Sequence, residues 1–341
     1  MARRATAQDV ANLVGVSRSS VSLVLNGRGE GNISAAKQLA ILEAASQLNY
    51  RPNTLAQSLR SHRTFTLGIL TWMGPSGFPQ RMLHTACEKT TAAGFVSIWM
   101  DTGPAPDQEA QAISSLLDRQ VDAFLVVAPE LVEYDPPEAL AGTRTLLINC
   151  RDPGRRVTSV VADEFGGAVR AAQLLMDRGH TRIGLLVEEQ PSALREDRVA
   201  GVRAALAQAG LPDPLLVPAA DLRGGATAIR AVLTGPAAPT AVITTRERLA
   251  LATVLAAAEL GLHIPEDLSV ISLEDGERLA SDLRPAVATI ERPDAAMAEE
   301  AVALLLQELT GEDPDVRQLT FVCPSHLRGS VGTVRRETVG R

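Results

Sequence analysis

Three small or cationic polar residues stand together near the N-terminus, at Ser17, Arg18 and Ser19, and Ser22 follows one helical turn later. On a short helix these side chains would share the outer, N-terminal face. An arginine placed there can donate two hydrogen bonds to guanine O6 and N7, which discriminates base pairs by about 1–3 kcal/mol. Serine hydroxyls suit phosphate or base contacts, although capping and solvation would also explain them. The pattern predicts that Arg18 reads bases in the major groove.

The residues around this cluster predict the helices that would present it. Thr6 is suited to cap a first helix, and Asp9 lies in its first turn, where the helix dipole favours an anion. Gly15 would end that helix in the left-handed conformation, and Ser17 would cap the next. Two short helices joined by so tight a turn form a helix-turn-helix.

Apolar spacing predicts the core of this segment, with a third helix from near Ser34 as its floor. The expected inward residues are Val10, Leu13, Val14, Val21, Val24, Leu25, Leu39, Leu42, Ala45 and Leu48.

Charge divides the chain at the same place. Residues 1–63 contain eight basic and three acidic residues, a net charge of +5, while the whole chain carries −7. The rest of the chain therefore carries −12. A basic segment on an acidic body indicates nucleic acid at one end of the molecule, although dispersed solvated charge would give the same balance.

A short helix is expected after the third one, because Pro52 breaks the chain and Asn53 can cap a new start. A helix this short needs a partner to order it. The segment Tyr50-Arg51-Pro52-Asn53 with Leu59, together with Asp9-Val10-Ala11, Gly15-Val16-Ser17 and the run Val21–Asn26, resembles the lactose/galactose repressor (LacI/GalR) family. The resemblance continues through the body and covers nearly the whole chain.

The resemblance implies a homodimer whose two heads bind a pseudo-palindromic operator in double-stranded DNA. It implies a hinge helix from Asn53 to Arg60 that folds on binding, with Leu59 as a wedge in the minor groove and Ala56 as its small neighbour. Ordinary packing between hinges is the other role open to Leu59. The residues expected to contact DNA are Thr6, Ser17, Arg18, Ser19, Ser22, Asn26, Tyr50, Asn53, Ala56 and Leu59.

Two departures from the family pattern affect DNA recognition. Leu23 stands where the family commonly has arginine, so one base contact is missing or is replaced by contact with a thymine methyl. The turn from Gly27 to Ile33 is longer than usual and rich in glycine. We therefore expect an operator that differs from the family consensus.

Beyond residue 64 the chain alternates apolar strands with helical segments, which predicts an α/β architecture of parallel sheets covered by helices on both faces. The expected strands are Thr66–Thr71, Phe95–Met100, Val121–Ala128, Thr145–Asn149, Ile183–Val187, Ala241–Thr244 and Leu268–Leu273. The expected helices are Phe78–Gly94, Asp107–Arg119, Phe165–Gly179, Arg195–Gly210 and Arg246–Gly261. About ten strands are too many for one comfortable sheet, so we expect two lobes with a ligand cleft between them.

The resemblance implies that the body has the periplasmic-binding-protein fold, in which three crossovers link the lobes. We expect an all-α helix-turn-helix domain at residues 1–50, a hinge and linker at 51–63, and an effector-binding and dimerisation core at 64–341. Lobe one is expected at about 64–160 and 291–323, and lobe two at about 161–290 and 324–330. The C-terminal residues contain no leucine heptads, so we expect a dimer without a tetramerising coil.

The match is weakest at the effector site. Arg198 matches the family arginine that grips effector hydroxyls or carboxylates, and a surface ion pair with Glu196 or Glu188 is the alternative. Glu274 aligns with the effector-binding aspartate. Arg246 puts a cation where the family has a neutral asparagine.

Four further residues complete the expected effector site. Phe78 matches the aromatic residue of the family cleft, and Trp72 lies just past the first strand; either would stack on a sugar or belong to the core. Asn149 stands where aspartate is common, and Asp163 matches a frequent interlobe aspartate.

Arg246 leaves the effector chemistry open. Near Arg198 it would favour an anionic effector such as a sugar phosphate or sugar acid. Paired with Glu247 or Glu274, it would partly close the site. We expect a repressor controlled by a sugar or sugar derivative, with a degenerate or non-sugar site as the alternative.

Two other classes of protein fit less well. The sequence contains no GxSxG, GxxxxGK[ST], HExxH or GxGxxG motif, and its histidines lack metal-ligand spacing, so we expect neither an enzyme nor a cofactor. The three cysteines are far apart and suit reduced thiols. A solute-binding protein would need a signal peptide and no basic head. With no run long enough to span a membrane, we expect a cytoplasmic protein.

Overall fold

The computed structural model describes residues 5–25, 29–50, 63–74, 77, 79–103, 106–276, 278–311 and 315–334. The chain divides into two compact units, Met1–Phe65 and Thr66–Arg341. The described part of the first unit contains helices α1 (Ala7–Val14), α2 (Arg18–Leu25) and α3 (Ala35–Gln47).

Local capping builds the first unit as the residue types predict. The hydroxyl of Thr6 accepts a hydrogen bond from the Asp9 backbone N–H, while Asp9 Oδ2 accepts one from the Thr6 backbone N–H at 2.8 Å. Gly15 ends α1 at a φ of 71°, where glycine has no Cβ to strain. Ser17 Oγ accepts from the Ser20 backbone N–H at 3.1 Å and so caps α2. The predicted helix-turn-helix is confirmed.

The core of the first unit differs from the prediction at three leucines. Leu13, Leu39 and Leu42 are 52%, 60% and 50% exposed, so their expected burial was wrong. The inward face of α3 carries Ile41 and Ala44 instead. With 3.6 residues per turn, that face leaves Leu39 on the opposite side and Leu42 well outside the buried strip.

The second unit contains twelve strands among its described residues. They are β1 (Thr66–Thr71), β2 (Val96–Asp101), β3 (Ala123–Glu133), β4 (Thr145–Arg151), β5 (Thr158–Ala162), β6 (Ile183–Glu188), β7 (Leu215–Ala219), β8 (Ala241–Thr244), β9 (Ser269–Ser272), β10 (Ala288–Ile290), β11 (Gln318–Phe321) and β12 (Ser325–His326). The helices are α4 (Gln80–Ala92), α5 (Pro106–Leu117), α6 (Glu164–Met176), α7 (Ala193–Gln208), α8 (Leu222–Leu233), α9 (Glu247–Glu259), α10 (Leu279–Asp282) and α11 (Asp294–Thr310).

These strands form two six-stranded sheets, one in each lobe. The order in lobe one is β11-β5-β4-β3-β1-β2, and the order in lobe two is β12-β10-β9-β8-β6-β7. All neighbouring pairs are parallel except β10 and β12. The predicted α/β architecture with two lobes is confirmed.

The chain crosses between the lobes three times: after β5, after β10 and after β11. Each crossover is short, and the middle one contains only Glu291, Arg292 and Pro293 before α11 begins. Polar side chains of these connections are therefore held at the boundary between the lobes.

The seven expected strands and five expected helices are all present, with shifted ends. β3 continues to Glu133, past its expected end at Ala128, because its register with β4 shifts between Val127 and Val132. The strands β5, β7, β10, β11 and β12 and the helices α8, α10 and α11 were not expected. β10 and β12 have three and two residues, too few for a periodic pattern to appear.

Small side chains let α6 and α7 pack closely in lobe two. A Cβ built on Gly201 of α7 would lie 2.3 Å from the carbonyl oxygen of Phe165 and 2.9 Å from Ala168 Cβ, both on α6. No flexible side chain stands at the nearest contact, so this position requires glycine. The same tight packing brings Arg198, one turn earlier on α7, against the start of α6.

His180 connects the C-terminal segment to lobe two and predicts a pH dependence. Its Nδ1 lies 2.9 Å from Thr240 Oγ1 and its Nε2 lies 3.1 Å from the Gly332 carbonyl oxygen. Burial lowers the pKa of His180 below its ordinary value of 6.5, and Arg178 lowers it further. The neutral form of His180 is therefore favoured in the folded state. Its contribution to the free energy of unfolding is fully present above pH 6.5, the ordinary pKa, and is lost as the pH falls from there through the lower pKa of the folded state.

We expect the thermal unfolding temperature to fall as pH is lowered from 6.5, and His180→Gln to reduce that slope. His263→Gln is the matched control, since the His263 side chain is 80% exposed. Differential scanning calorimetry at several pH values measures this. Equal slopes in wild type and His180→Gln would contradict the assignment.

Candidate nucleic-acid interface and interlobe cavity

The outer face of α2 presents the residues expected to read DNA. Ser17, Arg18 and Ser19 are exposed, and Ser22 is half-buried. Ser17 Oγ lies 2.7 Å from Ser19 Oγ, so the hydroxyls form a small polar cluster at the start of the helix. This arrangement places the Arg18 guanidinium at the N-terminal end of α2, as base reading in the major groove requires.

The other residues expected at DNA have varied settings. The Thr6 hydroxyl is engaged by the α1 cap, and half-buried Tyr50 packs against the core of the first unit. Asn26, Asn53, Ala56 and Leu59 lie outside the described residues. Their contacts with DNA, like those of Arg18, remain predictions.

A cavity of about 840 Å³ lies between the lobes and has walls from both. Lobe one contributes Arg81 and Pro129, lobe two contributes Arg198 and Glu274, and the middle crossover contributes Arg292. Its size falls in the range of about 300–1,000 Å³ typical of small-molecule sites. Parallel strands of both sheets end near it, which is where α/β proteins bind ligands.

Arg198 is fixed in the cavity wall by buried partners. Its Nε donates to Glu164 Oε2 at 2.8 Å, and its Nη1 donates to the Thr245 carbonyl oxygen. The Arg198 side chain is 2% exposed, and the Glu164 side chain is 4% exposed. The expected alternative, a surface pair with Glu196 or Glu188, was therefore wrong about both burial and partner. A guanidinium held on two sides keeps its fork oriented for a third group.

Glu164 has an incomplete set of hydrogen bonds. Its Oε1 is buried and has no hydrogen-bond partner among the described residues. Glu164 is the first residue of α6, directly after the Asp163 cap, where the helix dipole favours an anion. The buried negative charge of Glu164 is therefore compensated mainly by its contacts with Arg198.

The cavity wall is rich in paired charges. Arg292 Nε donates to Asp294 Oδ1 at 2.5 Å and its Nη1 donates to the Pro129 carbonyl oxygen at 3.1 Å. Burial would lower the pKa of Arg292, but Asp294, Glu164 and Glu274 together raise it above its ordinary value, so the guanidinium stays charged. Arg328 Nη2 lies 2.6 Å from Asp275 Oδ2. Such fixed donors and acceptors suit a ligand with many hydroxyl groups.

Glu274 joins the cavity wall to the start of α9. Its Oε2 accepts a hydrogen bond from the Glu247 backbone N–H at 3.1 Å, and its Oε1 lies 3.3 Å from Arg246 Nη1. The carboxylate thus caps the positive end of the helix. Glu247 itself accepts from the Ala280 backbone N–H at 2.6 Å and anchors α10.

Arg246 is surrounded by carboxylates. Its Nη2 lies 2.6 Å from Glu130 Oε2, its Nε pairs with Glu188, and its Nη1 faces Glu274. Burial alone would raise the pKa of Glu188, but Arg246, the Thr245 hydroxyl, its own backbone N–H and Arg198 together hold it below its ordinary value. Burial likewise opposes the charge of Arg246, and the three carboxylates raise its pKa above the ordinary value. Arg246 and Glu188 are therefore both charged at neutral pH.

Arg246 and three other expected effector residues are not among those lining the cavity. Trp72 is half-buried and packs against a hydrophobic cluster of lobe one. Asn149 is fully buried; its Nδ2 donates to the Ala128 carbonyl oxygen at 3.4 Å and its Oδ1 has no partner among the described residues. Asp163 caps α6 through the Gly166 N–H at 2.8 Å. Phe78 lies outside the described residues. Their roles in effector binding remain predictions.

Sequence reasoning missed Arg81, Glu130 and Arg292. Glu130 carried a usable signal, because a single carboxylate in the apolar run of β3 needs a buried partner. Arg292 and Asp294 flank Pro293 at a junction between a strand and a helix. The sequence alone does not show that this junction crosses from one lobe to the other, so it gave no signal for these two residues.

Two classes of feature are missing from the described ranges. Over these residues, no group of three or more His, Cys, Asp or Glu side chains could hold a metal ion. None of the helices described combines the length and the apolar character that crossing a bilayer requires. Burial raises the pKa of the Cys323 thiol to about 12, which makes that thiol unreactive near neutral pH.

Comparison with known proteins finds a matching family for each of the two units. Residues 6–53 match the family described as bacterial regulatory proteins, lacI family, and residues 172–331 match a periplasmic binding protein-like domain. The ribose operon repressor of Escherichia coli (strain K12) is 30% identical over 316 residues, covering 90% of this chain and 93% of that protein.

Solved structures agree with this result. A complex titled transcriptional regulator CelR-cellobiose has 26% identity and a TM-score of 0.67, covering 96% of this chain and all of that one. A lac repressor dimer bound to operator and an anti-inducer has 21% identity and a TM-score of 0.78, covering 97% of this chain and all of that one, and shows the shared fold.

A helix-turn-helix head joined to a two-lobed binding body defines a DNA-binding transcription regulator. The chain belongs to the lacI family of bacterial regulatory proteins.

Proposed function

We propose that this regulator is a homodimeric repressor whose affinity for a pseudo-palindromic operator is controlled by a sugar or sugar derivative bound between the lobes. The head supplies base and phosphate contacts, and the body supplies the effector site and the dimer contacts. Its relatives support this proposal, because they are a ribose operon repressor and a regulator in complex with cellobiose. The chain would act by binding, not by catalysis.

Arg198 is the observation that carries the effector site. It lines the interlobe cavity while Glu164 and Thr245 hold its guanidinium from behind. A rigid, charged donor can bond ring hydroxyls or a carboxylate of the effector without losing side-chain freedom on binding. Glu274 on the same wall adds an acceptor for hydroxyl groups.

The setting of Arg246 favours a partly closed site over an anion-binding one. Three carboxylates already engage the Arg246 guanidinium, so it is not available to bind an anionic group of the effector. A neutral, hydroxyl-rich effector near Arg198 is therefore the better fit.

A thermal-shift screen of the full chain tests this function. The probes are D-ribose, cellobiose, ribose 5-phosphate and glucuronic acid, and we expect a neutral sugar to raise the unfolding temperature. Arg198→Lys should lose the shift, while Arg203→Lys, with a half-exposed side chain on the same helix, should keep it. A sugar that stabilises both variants equally binds elsewhere and would contradict the site.

Arg18→Ala is expected to weaken binding to the selected operator by about tenfold or more while changing binding to random duplex little. The reason is that a base contact is lost, whereas phosphate contacts persist. Lys37→Ala, an exposed cation of α3, is the control and should lower both affinities alike. Fluorescence anisotropy at fixed salt measures both. A uniform loss in Arg18→Ala would remove this residue from base reading.

A further inference from the structure

A buried ion pair joins the two lobes inside the cleft. Glu130 belongs to β3 in the sheet of lobe one, and Arg246 precedes α9 in lobe two. Glu130 Oε2 lies 2.6 Å from Arg246 Nη2, and their side chains are 7% and 10% exposed. Water competes little for so buried a contact, so this pair is stronger than one at the surface.

Arg246 is oriented for Glu130 by its own lobe. Its other carboxylate partners, Glu188 at the end of β6 and Glu274 after β9, both belong to lobe two. They hold the guanidinium whether or not lobe one is near. The position of Arg246 is thus preorganised for contact with Glu130 when the lobes close.

A second pair links the lobes next to the cavity. Arg151 at the end of β4 in lobe one makes a two-point contact with Asp197 of α7 in lobe two, with Nη1 and Oδ1 3.2 Å apart. Their side chains are 38% and 22% exposed, so this pair contributes less than the buried one. Asp197 directly precedes Arg198, and the contact therefore holds α7 against lobe one beside the proposed effector site.

We propose that Glu130 and Arg246 form an interlobe tie that keeps the cleft closed without effector. In a cleft that lacks such a tie, the ligand supplies the contacts that bridge the lobes; here side chains of the protein supply them. The effector would then act on a body that is already closed, and it would change operator affinity by altering the conformation of that closed body. Loss of the tie would produce an open body. The inference rests on the proposed function only for this last step, because closure itself needs no ligand.

Glu130→Gln tests the tie in the full chain without ligand. The substitution removes the charge from lobe one and leaves Arg246 paired with Glu188 and Glu274, so the fold should persist. Hydrogen–deuterium exchange should be about tenfold faster in peptides covering residues 123–133 and 246–259, since a charge-assisted bond becomes a neutral one. Glu133→Gln is the matched control, because Glu133 is an exposed residue of the same strand.

The outcomes separate the tie from the effector site. Exchange in Glu130→Gln within about twofold of wild type and of Glu133→Gln would overturn the tie. Glu130→Asp keeps the charge but shortens the side chain, so the same peptides should also exchange hydrogen for deuterium faster in this variant. Exchange at the wild-type rate in Glu130→Asp would contradict the proposed contact between Glu130 and Arg246. Failure of every sugar in the thermal-shift screen would count against the proposed effector and leave the exchange result unaffected.

Discussion

Arg198→Ala is expected to lower the free energy of unfolding by about 3–5 kcal/mol, the usual cost of leaving one member of a buried ion pair without its partner. Glu164 would keep its burial and lose the 2.8 Å contacts to Oε2, while Oε1 already lacks a hydrogen-bond partner among the described residues. The Thr245 carbonyl oxygen would lose its donor as well. Chemical denaturation followed by circular dichroism measures the loss.

Two comparisons make this result specific. Arg203→Ala removes an arginine of the same helix whose side chain is 50% exposed and lies 3.6 Å from Asp213, so it should cost at most about 1 kcal/mol. The double variant Arg198→Met with Glu164→Gln removes both charges and should recover much of the loss. A cost for Arg198→Ala equal to that of Arg203→Ala would mean that the buried pair does not stabilise the body.

The same pair changes how effector binding should be probed. Alanine at Arg198 would abolish a ligand response through instability as readily as through a lost contact. Lysine keeps a charge near Glu164 and removes the planar fork, so it isolates the recognition step.

Gly201→Ala is the second large effect, with an expected loss of about 1–3 kcal/mol. The new methyl would stand 2.3 Å from the Phe165 carbonyl oxygen, so α6 and α7 must move apart. This movement also shifts Arg198, and we expect the variant to lose ligand affinity together with stability. Thermal unfolding and the ligand screen measure the two effects.

Gly224→Ala is the control for the glycine substitution. Gly224 lies near the start of α8, and its built Cβ would be 3.3 Å from a single side-chain atom, Asp221 Oδ1. Alanine also favours a helix over glycine there. We expect Gly224→Ala to be neutral or slightly stabilising; an equal loss in both variants would contradict the packing argument for Gly201.

Sequence reasoning worked where structure depends on neighbours in the chain. The roles of Thr6 and Ser17 at helix starts follow from side chains that accept hydrogen bonds from backbone groups three residues away, and the role of Gly15 follows from its easy access to a positive φ. Parallel sheets likewise follow from strands that alternate with helices. The prediction for Leu39 was wrong because α3 has apolar residues on two faces. Only packing against α1 and α2 determines which of these faces is buried.

The candidate site depended on distant parts of the chain. One of two alternatives paired Arg246 with Glu247 or Glu274, and the contact with Glu274 is present at 3.3 Å. Its nearer partner, Glu130, is more than a hundred residues away in another lobe, in the part of β3 where the register with β4 shifts. The pairing of Arg198 with Glu164 required knowing that α6 and α7 touch at Gly201. Such partners follow from tertiary packing, not from spacing.

The three crossovers have a consequence for how such genes recombine. Each sheet of the body is assembled from separate stretches of chain, with β11 returning to lobe one and β12 to lobe two near the C-terminal end. A single exchange point between β1 and β12 would therefore join strands of unlike ancestry in at least one sheet, and a point between β6 and β11 would do so in both. An exchange between Phe65 and Thr66 breaks neither sheet, so new pairings of operator and effector would arise most readily by inheriting whole heads and whole bodies.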